Sequence, residues 1–205
     1  MAKFFKYFPK VYYDLTGSDG FDVVTNITTR FTFDQNLKEN SIVFYEYDIQ
    51  EGDTPEIIAY KFYKDPERHW IVLLYNNILD PSNEWPLFGD AFNRYVDKKY
   101  QDDGGILWAM NSNNIHSYYK IITRTSDTDE IIEKFQITSE DYANTANEYL
   151  SYTLEDGNSI TEEISKETKT YYQYEMDLNE SKRRIKLLKP DYISQVEKEF
   201  KSVIK

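Results

Sequence analysis

Apolar and polar positions alternate in several stretches of the chain, and this alternation predicts β-strands. The clearest stretch is residues 23–34, where every second side chain from Val23 onward is apolar or a threonine. A period of two is typical of a half-buried strand. The same reasoning predicts strands at residues 42–49, 115–125, 130–138 and 168–178. The spacing within residues 130–138 also fits a short helix, and that alternative stays open.

A turn signal separates two further stretches. Residues 148–154 and 159–164 flank the pair Asp156-Gly157, which favours a hairpin. The surrounding residues 139–170 are rich in Ser, Thr, Asn and Glu and hold few large aliphatic side chains. We therefore expect this region to fold weakly alone and to be extended or stabilised by a partner.

The first helical pattern follows a strand and a turn. Gly52 suits a tight turn because glycine accepts a positive φ, and Asp53 or Thr54 offers a capping oxygen. Pro55 fits the first helical position, where its missing N–H costs nothing. Ile58 and Phe62 are four residues apart and share a face of the predicted helix.

A second helical run follows within ten residues. Residues 70–75 are apolar nearly all round, which predicts a helix buried on both sides. Asn76 and Asn77 end this helix, and Asp80-Pro81 reads as a turn. Another helix is predicted at residues 90–100.

Aromatic side chains are concentrated at both ends of the chain. Residues 1–13 form an aromatic and basic arm, and residues 179–205 predict a basic amphipathic helix with an apolar stripe. Each end either packs on its own domain or inserts into a neighbouring subunit. For the C-terminal helix, packing on its own domain is the default expectation. The candidate partner-contact residues are Phe4, Phe5, Tyr7, Phe8, Trp85, Tyr192, Val196 and Phe200.

Residues 45–81 resemble a LysM module, in which an apolar strand, a GDT turn and two short helices follow one another. LysM modules bind and do not catalyse. The resemblance implies a binding surface at Gly52, Asp53, Thr54, Asn76, Asn77 and Asp80. The chain departs from the LysM pattern after residue 81, where a closing strand is expected and only residues 85–89 offer a short closing segment. The departure favours a module built into a larger domain.

Charge is unevenly distributed, although the net charge is −12. Residues 125–180 hold 15 acidic and 3 basic side chains, whereas residues 181–205 hold 3 acidic and 8 basic ones. Nucleic-acid binding needs a broad basic face, so this balance argues against it. The pattern suits docking against basic protein surfaces, or a basic tail meeting the acidic face of another copy. A solvated acidic surface that aids solubility is the alternative.

The sequence carries no recognisable catalytic motif. Its two histidines, His69 and His116, lie in no metal-binding arrangement, there is no cysteine, and no glycine-rich phosphate loop follows a strand. No apolar run approaches the length of a membrane span, and the N-terminus does not resemble a signal peptide. We therefore predict no enzyme activity, no catalytic or metal site, no cofactor, and no small-molecule, nucleic-acid or membrane partner.

Across nearly its full length the chain resembles the gene product fifty-three family of wedge proteins from the baseplates of contractile-tailed, T-even-type phages. The resemblance is carried in order by FFKYFPKVYYD, VVTNITTRFTF, HWIVLLYNNILDPSNEWPL, FNRYVDKKY, HSYYKI and SKRRIKLLKPDYISQVEKEF. It implies a late structural protein of the virion, assembled in the host cytoplasm into the tail baseplate. The implied partners are other wedge subunits, copies in adjacent wedges and the sheath-initiating subunit. It implies no cofactor.

These observations predict an α+β fold with a small LysM-like β-α-α module embedded in a mixed domain. The predicted segments are an aromatic arm and strand (1–40), a LysM-like core with its following helix (41–101), a strand-rich acidic region (102–178) and the C-terminal helix (179–205). The predicted function is to hold neighbouring wedge subunits together around the hub. The alternative is a peptidoglycan-binding LysM module that aids cell-wall attachment; a wall-degrading enzyme is the least favoured reading.

Overall fold

The computed structural model describes residues 4–14, 17, 20–126, 128–153, 157 and 159–204. The strands are β1 (Lys10–Tyr13), β2 (Asp22–Thr25), β3 (Phe44–Asp48), β4 (Ile115–Thr125), β5 (Glu130–Ile137), β6 (Glu148–Thr153), β7 (Ser159–Thr170) and β8 (Arg184–Leu188). The helices are α1 (Gln35–Glu39), α2 (Pro55–Tyr63), α3 (His69–Tyr75), α4 (Pro81–Glu84), α5 (Gly89–Lys99), α6 (Gly105–Met110), α7 (Ser139–Asn144), α8 (Tyr171–Ser181) and α9 (Pro190–Val203). The predicted α+β class is confirmed.

The chain divides into two units, and the sequence of the second is inserted within the sequence of the first. The first unit comprises Met1–Pro86 and Glu180–Lys205, and the second comprises Leu87–Asn179. The second unit holds 18 acidic and 8 basic residues, whereas the first holds 18 acidic and 16 basic ones. The acidic residues are divided equally, and the net negative charge lies mostly in the second unit because that unit has fewer basic residues. The finer division into four segments stays a prediction.

In the first unit, β3 pairs antiparallel with β8, from Phe44 opposite Leu188 to Asp48 opposite Arg184. The helices α2 and α3 lie between these strands in the sequence, and both contribute fully buried side chains to the core. Residues 85–89 contain no strand. The strand that pairs with β3 is β8, which follows the second unit in the sequence. The core includes Ile49, Ile58, Ile71, Val72, Leu187, Leu188 and Val196. The likeness to a LysM module stays a prediction.

In the second unit, α5 and α6 build a small core from Phe92, Val96 and Ala109. A four-stranded antiparallel sheet follows, in the order β5-β4-β7-β6. The first and last residues of the unit are joined by one side chain: Asn179 accepts from the Leu87 N–H and donates to the Leu87 carbonyl, both at 2.8 Å. Because Asn179 is buried, this pair fixes the point where the chain enters and leaves the unit.

Several predicted strands and helices are confirmed. The turns and caps of α2 form as expected, since Thr54 Oγ1 accepts from the Ile57 N–H and Pro55 begins the helix. The strand predicted at residues 115–125 is β4, and residues 130–138 form the strand β5 rather than a helix. β6 and β7 form the predicted antiparallel pair. Asp156 of the predicted turn lies outside the described residues.

The long strand predicted at residues 23–34 is wrong beyond Thr25. Among the described residues, β2 pairs with the four-residue β1 alone, and no other described strand continues alongside it. The Asn26 side chain then accepts from the Thr28 N–H at 3.1 Å and bends the backbone. The alternating side chains Phe31 and Phe33 instead lie in irregular backbone, with their rings 5.4 Å apart.

Two assignments near the C-terminus are also wrong. Residues 168–178 were predicted as a strand, but α8 begins at Tyr171 because Thr170 and Gln173 form a reciprocal cap: each side chain bonds the other's backbone N–H. The tail was predicted as one helix, whereas it contains β8 and then α9. β8 is a strand because β3 supplies its hydrogen-bonding partner.

Candidate protein-contact surfaces

The N-terminal aromatic side chains pack against the C-terminal helix within the first unit. The Phe4 ring centroid lies 5.2 Å from that of Phe200 and 5.3 Å from that of Trp70, and the Trp70 and Phe200 centroids are 4.6 Å apart. Phe8 and Phe200 are buried, and so is Val196 on the same helix. These side chains of the arm and the tail therefore contact the chain's own core.

Other predicted contact residues keep exposed surface. Phe5 is exposed and lines an apolar groove of about 570 Å³ that also includes Ile27 and Phe31. Tyr7 and Tyr192 are half-buried. Trp85 is half-buried as well, and its Nε1–H donates to the Asp53 carbonyl at 3.0 Å. Partner contact by these residues stays a prediction.

Asp53 forms a buried polar network at the start of α2. Its carboxylate accepts from the Tyr47 hydroxyl at 2.6 Å, the Gln50 N–H at 3.0 Å and Lys61 Nζ at 2.5 Å. Burial alone would raise the pKa of Asp53, but the hydrogen bonds from Lys61 and Tyr47 hold it below its ordinary value. Burial and the Asp53 carboxylate raise the pKa of Tyr47 to about 12. Gly52 takes the left-handed φ of 85° that its predicted turn requires.

The predicted Asn residues lie at the end of α3. The Asn76 amide donates to the carbonyls of Val72 and Lys186, both at 2.8 Å, and accepts from the Lys186 N–H at 2.7 Å. It therefore ties α3 to β8. Asn77 Oδ1 accepts from Lys38 Nζ. Asp80 caps α4 by accepting from the Ser82 N–H at 3.0 Å.

The structure brings Asn76 and Asn77 to the wall of one cavity of about 250 Å³, together with Lys38 and Lys186. Gly52, Asp53 and Thr54 are not among the described residues that line this cavity. The side chains of Asp53, Asn76, Asn77 and Asp80 all form hydrogen bonds to other groups of the chain.

The second unit presents an apolar sheet face that sequence reasoning did not single out. Antiparallel pairing places directly opposed residues on the same side of a sheet. The registers pair Ile122 with Ile164 and with Glu133, Arg124 with Ile131, and Glu162 with Leu150. This side of the sheet is here called the apolar sheet face, and its apolar members are Tyr118, Ile122, Ile131, Phe135, Ile137, Leu150, Tyr152, Ile160 and Ile164. The same registers place Lys120, Lys166 and Glu148 among them.

Much of the apolar sheet face is exposed. Ile131 is 56% exposed, Leu150 is 52% exposed, and Phe135 and Tyr152 are close to one half. The helix α7 covers the end near Tyr118, where Tyr142 packs on that ring. Exposed apolar side chains gathered on one side of a sheet make that side a candidate surface for protein contact. The sequence signal for this face is the alternation of side chains within β5 and β6. It does not show which residues of different strands share a side of the sheet until the pairing registers are known.

An ion cluster lies in the same face. Arg124 pairs with Glu162 at 2.6 Å and with Glu133 at 2.7 Å. All three side chains belong to the apolar side by register, so the face combines an apolar surface with a fixed planar cation. The hydrogen bonds and charge of Glu162 and Glu133 raise the pKa of Arg124 above its ordinary value. This composition is typical of protein interfaces, where arginine and aromatic residues are enriched.

Within the described ranges, no helix is both long and apolar enough to cross a membrane. The same part of the chain contains no group of three or more His, Asp or Glu side chains arranged to hold a metal ion.

The sequence model of the base plate wedge protein 53 family matches residues 4–203. The chain belongs to this family. As a base plate wedge protein it is a structural component of the phage tail baseplate and part of the virion. The family is a structural one and is not a known enzyme family. No curated protein matches the chain.

Proposed function

We propose that this base plate wedge protein holds neighbouring wedge subunits together around the hub, and that the apolar sheet face is a principal contact. The observation that carries the proposal is the half-exposed set of Ile131, Phe135, Leu150 and Tyr152 on one side of the sheet. A baseplate subunit assembles with other subunits, and an uncovered apolar face gives such assembly its main driving force.

The edge of the sheet supports the same role. β6 is an edge strand in which every residue is exposed, and it contains no lysine or proline. Lysine and proline commonly protect an edge strand from pairing with another chain, and β6 lacks this protection. An open edge beside an apolar face lets a partner bind through backbone hydrogen bonds and side-chain contacts together.

Peptidoglycan binding receives less support. The glycan alternative assigned the contact to the turns around Asp53 and Asn76, but these two side chains bond to other groups of the chain. Removing a partner from a buried polar group costs free energy, so these groups are poor donors and acceptors for a sugar.

The test uses two neighbouring residues with the same side chain. Ile131 and Ile132 are 56% and 63% exposed, but they lie on opposite sides of β5. Ile131→Ser removes one side chain from the apolar sheet face, whereas Ile132→Ser makes the identical change on the other side. Substitutions of exposed residues change the free energy of unfolding by about 0.5 kcal/mol or less, so both variants are expected to fold.

The measurement is co-sedimentation of each purified chain with partly assembled wedge complexes that lack it, with isolated peptidoglycan as a parallel target. We expect Ile131→Ser to bind the wedge complexes about tenfold more weakly, since a buried isoleucine contributes about 1.5–3 kcal/mol. Ile132→Ser is expected to bind like the unaltered chain. Equal binding by both variants would refute the assignment of the face. Co-sedimentation with peptidoglycan and not with wedges would refute the assembly role.

A further inference from the structure

Two adjoining cavities of the first unit share a wall that includes Asn77 and Arg184. The first cavity, of about 250 Å³, is also lined by Lys38 and Lys186. The second, of about 270 Å³, is also lined by Lys182. Each cavity therefore presents cationic side chains, and the two together are called the basic groove below.

Lys38 is a buried cation to which the described chain supplies no counter-ion. It is only 7% exposed, and its Nζ donates to Asn77 Oδ1. No carboxylate among the described residues pairs with it, and burial lowers the pKa of Lys38. An ammonium group has three N–H donors, so further donors remain available toward the cavity. An anion in the cavity would supply the charge that offsets the cost of burying this lysine.

The other cations of the groove also keep donors available. Among the described residues, Lys186 Nζ donates only to the backbone carbonyl of Lys38, at 3.0 Å, and it lies 4.5 Å from the Phe44 ring centroid. Lys182 Nζ likewise donates to a backbone carbonyl, at 2.8 Å. Arg184 pairs with Asp48 through Nε at 3.1 Å, which leaves the terminal guanidinium nitrogens for a further acceptor.

The carboxylates that line the groove are already engaged. Glu39 accepts from Gln35 Nε2 at 2.7 Å. Glu84 accepts from the backbone N–H groups of Leu79 and Asp80, at 2.6 and 2.8 Å. Neither forms an ion pair with a lysine of the groove, so Lys38, Lys182 and Lys186 have no carboxylate partner among the described residues.

We propose that the basic groove binds an extended acidic segment of another baseplate subunit, whose carboxylates lie against Lys38, Arg184 and Lys182. This inference rests on the proposed assembly function. Two adjoining cavities with cations in each suit several carboxylates in a row, whereas one small inorganic anion occupies a single cavity. Ammonium and guanidinium groups form their strongest hydrogen bonds with such ionised acceptors.

The decisive variant is Lys38→Met in the full chain. Methionine keeps much of the length of the side chain and removes the uncompensated buried charge, so stability is expected to be unchanged or raised. The control is Lys98→Met, the identical change on the exposed surface of α5 in the second unit. A second variant, Arg184→Gln, alters an exposed side chain of the groove.

The probe is a fluorescently labelled hexaglutamate peptide, followed by anisotropy at constant ionic strength, with inorganic phosphate as competitor. We expect the unaltered chain and Lys98→Met to bind it equally, and Lys38→Met and Arg184→Gln to bind about tenfold or more weakly, as expected for loss of a charged partner. Unchanged binding by Lys38→Met would overturn the proposal. Competition by phosphate as effective as that by unlabelled peptide would assign the groove to a free anion and overturn the acidic segment.

The sheet-face variants separate this result from the assembly function. Ile131→Ser is expected to keep full affinity for hexaglutamate while it loses wedge binding. Lys38→Met is expected to lose hexaglutamate binding and to weaken wedge binding with the apolar sheet face intact. A Lys38→Met chain that binds wedges like the unaltered chain would contradict the groove as a subunit contact and leave the assembly role standing.

Discussion

Replacing Asp53 by asparagine tests whether the buried network at the start of α2 stabilises the first unit. Asp53→Asn keeps the size of the side chain and removes its charge. Asp48→Asn is the matched control, because Asp48 lies five residues earlier and forms an ion pair with Arg184 in which both side chains are more than half exposed. One aspartate is buried and the other is exposed, so the pair isolates the effect of burial.

The expected loss follows from the three bonds of the Asp53 carboxylate. The Tyr47 hydroxyl and the Gln50 N–H both donate to Oδ2, and an asparagine carbonyl oxygen in that place would keep both bonds in a weaker, neutral form. Lys61 donates to Oδ1, where the amide nitrogen would meet it donor to donor. The Lys61 side chain is half exposed, so its share is small. Together these changes are expected to lower the free energy of unfolding by about 2 kcal/mol for Asp53→Asn. The loss of the exposed ion pair in Asp48→Asn is expected to lower it by only about 0–1 kcal/mol.

The assay is urea unfolding at pH 7, followed by tryptophan fluorescence, since Trp85 donates to the Asp53 carbonyl and reports on this region. A loss of about 2 kcal/mol shifts the midpoint by about 1–2 M urea. The effect depends on pH with a definite sign. The pKa of Asp53 is lowered by folding, so its stabilisation is present above about pH 4 and is lost as the pH falls through the folded pKa. The difference from Asp53→Asn is therefore expected to shrink in acid.

Equal midpoint shifts for Asp53→Asn and Asp48→Asn would refute this reasoning, because burial would then add nothing to the network. A difference between the unaltered chain and Asp53→Asn that stays constant from pH 7 to pH 3 would refute the role of the charge.

Three further outcomes are expected. Phe200→Ala is expected to lower the free energy of unfolding by about 3–5 kcal/mol, since it opens a cavity beneath the N-terminal aromatic arm, and urea unfolding measures this. Asn179→Leu is expected to cost about 2–4 kcal/mol, because the Leu87 N–H and carbonyl lose their partner; hydrogen exchange at the Leu87 amide should quicken. Tyr47→Phe is expected to remove a phenol that ionises near pH 12, which ultraviolet absorbance detects. The stability that this phenol contributes to the unaltered chain is present below about pH 10 and is lost as the pH rises through about 12, so Tyr47→Phe is expected to lack it.

Local sequence was enough to predict the elements whose determinants lie within a few residues. The turn at Gly52, the cap at Thr54 and the start of α2 at Pro55 involve contacts across four positions, and all formed as expected. The reciprocal cap of α8 was equally local: the Thr170…Gln173 spacing is a helix-start signal. The tyrosine alternation of the same segment favours a strand, so the two local signals conflict there.

The elements that were predicted wrongly depend on distant partners. β8 has basic side chains and lies where a helix was expected, but it is a strand because β3, about 140 residues earlier, offers the matching backbone groups. Apolar and polar side chains alternate in residues 26–34 as they would in a strand, but these residues form none, because no described strand continues beside them. A strand is stabilised by its neighbours, so its own sequence does not decide its existence.

The sequence by itself determined the mixed class, the family resemblance, the absence of a recognisable catalytic motif and the local turns and caps, because these depend on composition, order and short-range contacts. Only the tertiary structure decided which surfaces are free. Phe8, Val196 and Phe200 became core, and Ile131 and Leu150 came to share an exposed face. Lys38 was buried beside Asn77, with no counter-ion among the residues that the structure describes. Exposure and pairing are properties of residues brought together from distant parts of the chain, which no local pattern specifies.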